Sequence, residues 1–124
     1  MRLNDKIAVI IGGGQAHRTG PAGNGRAIAL TYAREGAAVM VVDRDIDAAT
    51  FVSDEIIANG GRAVPFAADV LEESQIINAL EAAVACWGRI DILHNNVGLS
   101  IEAGDAPVTE IDADAFDHIM RLNL

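Results

Sequence analysis

Apolar residues follow two alternating rhythms along the chain. The unbroken runs Ile7-Ala-Val-Ile-Ile11 and Ala38-Val-Met-Val-Val42 have no polar face, which predicts strands covered on both sides. Between them Ile28, Ala29, Tyr32 and Ala33 fall on one helical face, and Gly36 stands where a left-handed residue can end that helix. Asp45 suits the cap of a second helix, with apolar positions Ile46, Ala49, Ile56 and Ile57, and Gly60-Gly61 breaks it. Arg62 to Ala67 reads as a third strand. Glu72 and Glu73 suit the positive end of a third helix, whose stripe is Ile76, Leu80, Ala83, Val84 and Trp87 and whose stop is Gly88. Ile90 to His94 reads as a fourth strand, Asn95 to Val108 as loop, and Ile111 to Leu124 as a fourth helix.

Strict alternation of strand and helix implies parallel strands joined by right-handed crossovers. The third strand contains Pro65. Proline lacks the N–H that a central strand needs, so this strand belongs at a sheet edge. A doubly wound sheet in the order 3-2-1-4 puts it there. The expected class is therefore α/β, with one domain over residues 1–124 whose sheet is incomplete at the C-terminus.

Charge and composition narrow the function. The chain carries a formal net charge of −9 at pH 7. That balance argues against nucleic acid or an anionic membrane surface as a partner. No apolar stretch approaches the roughly 20 residues of a membrane span. Cys86 is the single cysteine, so an internal disulfide is impossible; with the polar N-terminus this suggests a reduced, cytoplasmic setting. Cys86, beside Trp87, reads as a packed thiol. His17, His94 and His118 lie far apart and give no metal-ligand spacing, so they read as ordinary loop or surface residues. Met40 and Met120 read as packing, and Glu102 with Asp105 as a solvated acidic loop.

The candidate chemistry sits in Ile10 to Ala29, IIGGGQAHRTGPAGNGRAIA, which holds six glycines between the first strand and the first helix. Glycine permits positive φ and lets the backbone approach a pyrophosphate. Free N–H groups and the helix dipole then hold the anion. Gly23-Asn24-Gly25 is the best candidate for that contact, with Gly12 and Gly13 at the strand end. Asp43 follows the second strand, 18 residues after Gly25. Dinucleotide sites carry an acid about 20 residues on, which accepts hydrogen bonds from the adenosine ribose. The bland alternative makes Asp43-Arg44-Asp45 a solvated turn and cap; two signals in register favour the ribose.

Taken together, these residues resemble the short-chain dehydrogenase/reductase family, in its shorter common branch. Gly23-Asn24-Gly25-Arg26-Ala27-Ile28-Ala29 is similar to the end of the family's T-G-x-x-x-G-x-G turn and its helix. Asp43 stands where the family places its ribose acid, and Ala68-Asp69-Val70 resembles the Asp-Val step that contacts adenine. Asn95-Asn96-Val97-Gly98 resembles the N-N-A-G segment after the fourth strand, and Asn123 matches the helix asparagine of the catalytic tetrad. The resemblance implies a Rossmann-like fold, a nicotinamide dinucleotide, an alcohol/ketone substrate and a homo-oligomer. Asp43 repels a 2′-phosphate whereas Arg18 and Arg44 attract one, and the carboxylate tips the expectation to NAD over NADP.

The sequence departs from the family pattern in three places. Ten residues, not three, separate Gly12 from Gly23, and the strand end lacks the family's threonine; which of Gly12, Gly13 and Gly14 opens the turn stays open here. The insert Gln15 to Ala22 suits either a flap, with Arg18 over the phosphates, or a tolerated surface loop. Val97 replaces the family's alanine. Finally, the family's catalytic serine and Tyr-x-x-x-Lys have no counterpart: Tyr32 and Lys6 are the only residues of their types. In the family that tyrosine is the general acid/base, its pKa lowered from about 10 by the lysine. The 124-residue chain alone is thus expected to show no hydride transfer, and sustained NADH-linked turnover by it would refute this. Ile90-Asp-Ile-Leu93 is expected to form an apolar sheet edge and promote self-association, which sedimentation tests. The competing reading is a non-catalytic dinucleotide-binding remnant with a structural or sensing role.

Overall fold

The computed structural model describes residues 2–15 and 24–96. The insert from Ala16, Gly23, Val97, Gly98, the predicted last helix and Asn123 lie outside the described residues.

Seven elements alternate: β1 (Ile7–Ile11), α1 (Asn24–Arg34), β2 (Ala38–Asp43), α2 (Ile46–Ala58), β3 (Arg62–Ala67), α3 (Glu73–Trp87) and β4 (Ile92–Asn95). All strand pairs are parallel and the sheet order is β3-β2-β1-β4. Ile7 pairs with Ala38 and Ile11 with Val42, while β4 runs along the other side of β1, Asn95 opposite Ile11. Pro65 lies in the edge strand, opposite Val41, as its missing donor requires.

Alternation along the strands divides the core into two layers. Val9, Ile11, Met40 and Val42 face Ile76, Leu80 and Ala83 of α3. Ala8, Ile10, Val39 and Val41 face Ala29 of α1 with Ala49, Val52 and Ile56 of α2. Every residue of β1 is buried. The unbroken apolar run is thus the mark of a strand covered by α3 on one face and by α1 and α2 on the other.

Local chemistry sets the element ends. The Asp45 carboxylate caps α2 by accepting the Asp47 N–H at 2.9 Å. Gly36 (φ +102°) and Gly88 (φ +86°) take left-handed conformations after α1 and α3. Asp91 fastens the start of β4 to β1: its Oδ2 accepts the Ile7 N–H at 2.8 Å, and its own N–H donates to the Ile7 carbonyl at 2.8 Å.

Four expectations need correction. Ile46 and Ile57 are exposed, and α2 instead buries Ala48, Ala49, Val52, Ser53 and Ile56. Ile57 stands about 100° around the helix from the inward-facing Ile56, and Ile46 opens the helix beyond the sheet contact. Cys86 is exposed rather than packed, since it lies off the stripe that turns Ile76, Leu80 and Ala83 inward. His94 is partly buried in β4, and its ring meets the Tyr32 ring edge-on at 6.2 Å. The fourth strand also starts later than expected, at Ile92, with Ile90 buried ahead of it.

Candidate functional site

The carboxyl ends of the four strands bring Gly12, Asp43, Ala68-Asp69 and Asn95-Asn96 to one end of the sheet. There β1 is flanked by β2 on one side and β4 on the other. In open α/β sheets this switch point, where successive connections leave to opposite faces, is where a crevice for ligands opens.

Gly12 makes the turn out of β1, with φ at +79°. Its N–H and that of Gly13 both donate to the Val42 carbonyl, at 2.8 and 3.1 Å. A Cβ on Gly25 would collide with the Gly12 carbonyl oxygen and stand 3.0 Å from Asn96 Nδ2. The first turn of α1 therefore lies directly against the end of β1, despite the residues inserted between them. This contact identifies Gly12 as the turn glycine among the three candidates. Gly13 is buried between Ile10 and Val41, with no more than 3.1 Å for a Cβ on either side. Asn24 opens α1 and is exposed. The N–H groups of this first turn lack helical partners, and the dipole favours negative charge before them.

Asp43 ends β2 and is partly exposed. Its Oδ1 accepts the Asp45 N–H and its Oδ2 the Gly14 N–H, each at 3.1 Å. A carboxylate offers about four lone-pair positions. Each oxygen of Asp43 thus keeps acceptor capacity for an outside donor. Arg44 beside it is exposed. Beyond β3, Asp69 folds an Asx turn in which Oδ1 accepts the Leu71 N–H at 3.0 Å. The Asp69 N–H is held by Gln75 Oε1 at 2.8 Å, and Val70 packs against the α3 layer of the core. Asn95 closes β4, and the Asn96 N–H extends the ladder to the Ile11 carbonyl at 2.8 Å.

Sequence reasoning missed two parts of this end. The Asn96 side chain lies against Gly25, its Nδ2 3.0 Å from where a Cβ would stand. Arg26 gives Glu55 a two-pronged ion pair, at 2.8 and 2.7 Å, and lies 5.7 Å over the Phe51 ring. This guanidinium ties α1 to α2 and is committed to Glu55. No sequence signal marks either contact, because each joins residues that are distant along the chain.

A cavity of about 660 Å³ lies at the opposite end, among Asn4, Arg34, Gly36, Asn59 and Arg62. There α1 and α2 present their carboxyl ends, and none of the motif residues is near. Among the described residues no cluster of His, Cys, Asp or Glu suits a metal ion. Likewise, no helix among them is long and apolar enough to cross a membrane.

A glycine turn at the end of β1, a helix seated against it and an acid at the end of β2 define a Rossmann-like dinucleotide-binding fold. Comparison with known proteins makes this specific. The family model for short chain dehydrogenase matches residues 6–124. 7alpha-hydroxysteroid dehydrogenase of Escherichia coli (strain K12) is 40% identical over 98 residues, 79% of this chain and 36% of that protein. Sorbitol dehydrogenase of Cereibacter sphaeroides is 36% identical over 124 residues, 100% of this chain and 43% of that protein. A structure of 7 alpha-hydroxysteroid dehydrogenase complexed with NADH and 7-oxo glycochenodeoxycholic acid superposes with a TM-score of 0.72. It is 32% identical, covering 98% of this chain and 48% of that one. The chain belongs to the short-chain dehydrogenase family, whose members are oxidoreductases that bind a nicotinamide dinucleotide. It spans less than half the length of these relatives. Their being dehydrogenases gives the non-catalytic reading no support.

Proposed function

We propose that residues 1–124 are the cofactor-binding part of an NAD(H)-dependent oxidoreductase that interconverts an alcohol and a ketone. The observation that carries this is Asp43, a carboxylate at the end of β2 whose two oxygens are each held by one backbone N–H and keep capacity for more.

Gly25 supplies the test of fit: its missing side chain lets α1 stand against the end of β1, in the crevice where a pyrophosphate would lie. In this reading the N–H groups around Gly23, Asn24 and Gly25 hold the pyrophosphate, with Gly12 and Gly13 shaping the approach. Asp43 accepts hydrogen bonds from the adenosine ribose, with Arg44 at its rim. Asp69 and Val70 border the adenine. Asn95, Val97 and Gly98 flank the remainder of the cofactor, and Asn123 helps hold a catalytic water. The nicotinamide supplies the hydride when it is bound, and the protein orients it. NAD(H) is favoured over NADP(H) because a 2′-phosphate beside Asp43 brings two negative charges together. A cytoplasmic homo-oligomer is the setting that the family resemblance brings with it.

Fluorescence titration with NADH and NADPH tests the reading. The unmodified protein should bind NADH more tightly. Asp43→Ala should weaken NADH by about tenfold or more, since hydrogen bonds to a charged acceptor contribute roughly 1.5–3 kcal/mol each. Tighter binding of NADPH by the unmodified protein would overturn the choice of NAD(H).

A further inference from the structure

The glycine run holds a residue that neither the motif nor the family resemblance singles out. After the turn at Gly12, the chain crosses the end of β2 toward α2. The Gly14 N–H donates to Asp43 Oδ2 at 3.1 Å, and the Gln15 N–H donates to the Ala48 carbonyl at 3.3 Å. Gly14 has no room for a side chain. A Cβ there would stand 2.8 Å from Asp43 Oδ2, 2.8 Å from the Ala48 carbonyl carbon and 2.9 Å from the Ala49 nitrogen. Its φ is not in the left-handed region, so conformational freedom does not explain the glycine. Close approach does.

We propose that Gly14 is a positioning residue for cofactor choice: its N–H, at a point where no side chain fits, fixes the Asp43 carboxylate in the orientation that accepts a ribose diol and refuses a 2′-phosphate. This rests on the NAD(H) reading above. The physical reason is the softness of the torsion that rotates a carboxylate, which is broad and roughly two-fold. One bond, from the Asp45 N–H to Oδ1, restrains that rotation through a single oxygen only. The second bond, from Gly14 to Oδ2, stops it. A carboxylate already fixed loses less freedom when the ribose binds. The second bond also comes from a different part of the chain, 29 residues away, so it locates Asp43 relative to the turn at the end of β1.

An alanine at position 14 forces a choice. The first turn of α2 is backbone, held by the Asp45 cap, and gives way little. Either the Asp43 side chain rotates away or the loop lifts, and both break the Gly14–Asp43 bond. Gly14→Ala should therefore weaken NADH by about tenfold or more while NADPH changes by less than about threefold, so the preference for NADH collapses. Adding Asp43→Asn to Gly14→Ala should change NADH affinity by much less than Asp43→Asn does alone, because coupled residues are not additive. A merely structural role would lower the melting temperature and weaken both nucleotides equally, and that result overturns the proposal.

If Gly14→Ala does not fold, amide exchange in soluble protein decides. The Gly14 N–H should exchange slowly in the unmodified protein and rapidly in Asp43→Ala. Rapid exchange in the unmodified protein overturns the contact and the proposal with it. Failure of the unmodified protein to bind NADH overturns the cofactor reading itself. NADH binding with an unchanged preference in Gly14→Ala overturns only the role given to Gly14.

Discussion

Replacing Gly25 by alanine isolates the contact on which the site depends. The added Cβ would meet the Gly12 carbonyl oxygen at a distance no atom pair tolerates, with Asn96 Nδ2 at 3.0 Å on the other side. The obstacle is backbone at the end of a fully buried central strand, so relief requires α1 to move as a unit. Overpacking a core typically costs about 1–3 kcal/mol, and rigid obstacles place a site at the upper end. Alanine recovers part of this, at most about 1 kcal/mol, through its better helix propensity. The net loss is about 2 kcal/mol, or a fall of about 5–10 °C in melting temperature for a domain of this size. Displacing α1 also moves the N–H groups expected to face the pyrophosphate, so NADH affinity should fall as well. Gly60→Ala is the control. Gly60 has φ at +88° but nothing within 4 Å of an added Cβ. It should lose about 1 kcal/mol from backbone strain alone and bind NADH normally. Urea denaturation and NADH titration of both variants check the reasoning. A Gly25→Ala protein as stable as its parent, with undiminished NADH affinity, would refute the close approach of α1 to β1.

Two further outcomes follow from the hydrogen bonds. Arg26→Lys should not restore what Arg26→Ala loses, about 1 kcal/mol, because an ammonium cannot give Glu55 the paired bonds at 2.8 and 2.7 Å or lie flat over Phe51; urea denaturation in low and high salt checks this. Asp45→Ala should cost about 1 kcal/mol by removing the α2 cap, yet leave the NADH preference intact, because Asp43 is held by the backbone N–H of residue 45 and not by its side chain; melting and nucleotide titration together check it.

Much of this architecture was legible in the linear pattern. The runs in β1 and β2 have no polar face because helices cover both sides, and that requirement leaves its mark on consecutive residues. Pro65 reported the sheet edge because a missing donor is a property of one residue. Gly36 and Gly88 marked helix ends for the same local reason, and the position of Asp43 at the end of β2 was legible because it depends only on the length of one β-α-β unit. Sequence periodicity was less informative about exposure. It put Ile46 and Ile57 inside and Cys86 against the core, whereas all three face solvent. Adjacent apolar residues such as Ile56 and Ile57 cannot both face inward, since they stand about 100° apart, and a helical stripe does not record where along the helix the sheet ends, which leaves Ile46 outside.

Tertiary structure alone decided what happens among the glycines. Gly12, Gly13 and Gly14 are chemically identical in sequence, and nothing local separates them. One turns the chain, one is packed between Ile10 and Val41, and one delivers an N–H to Asp43 across 29 residues. The same holds for Arg26 with Glu55 and for Asn96 over Gly25. Among the described residues, sequence by itself determined which elements form and in what order, because those depend on neighbours along the chain. It could not determine which backbone atoms touch at the carboxyl ends of the strands. That depends on distances between segments that become neighbours only when the sheet assembles.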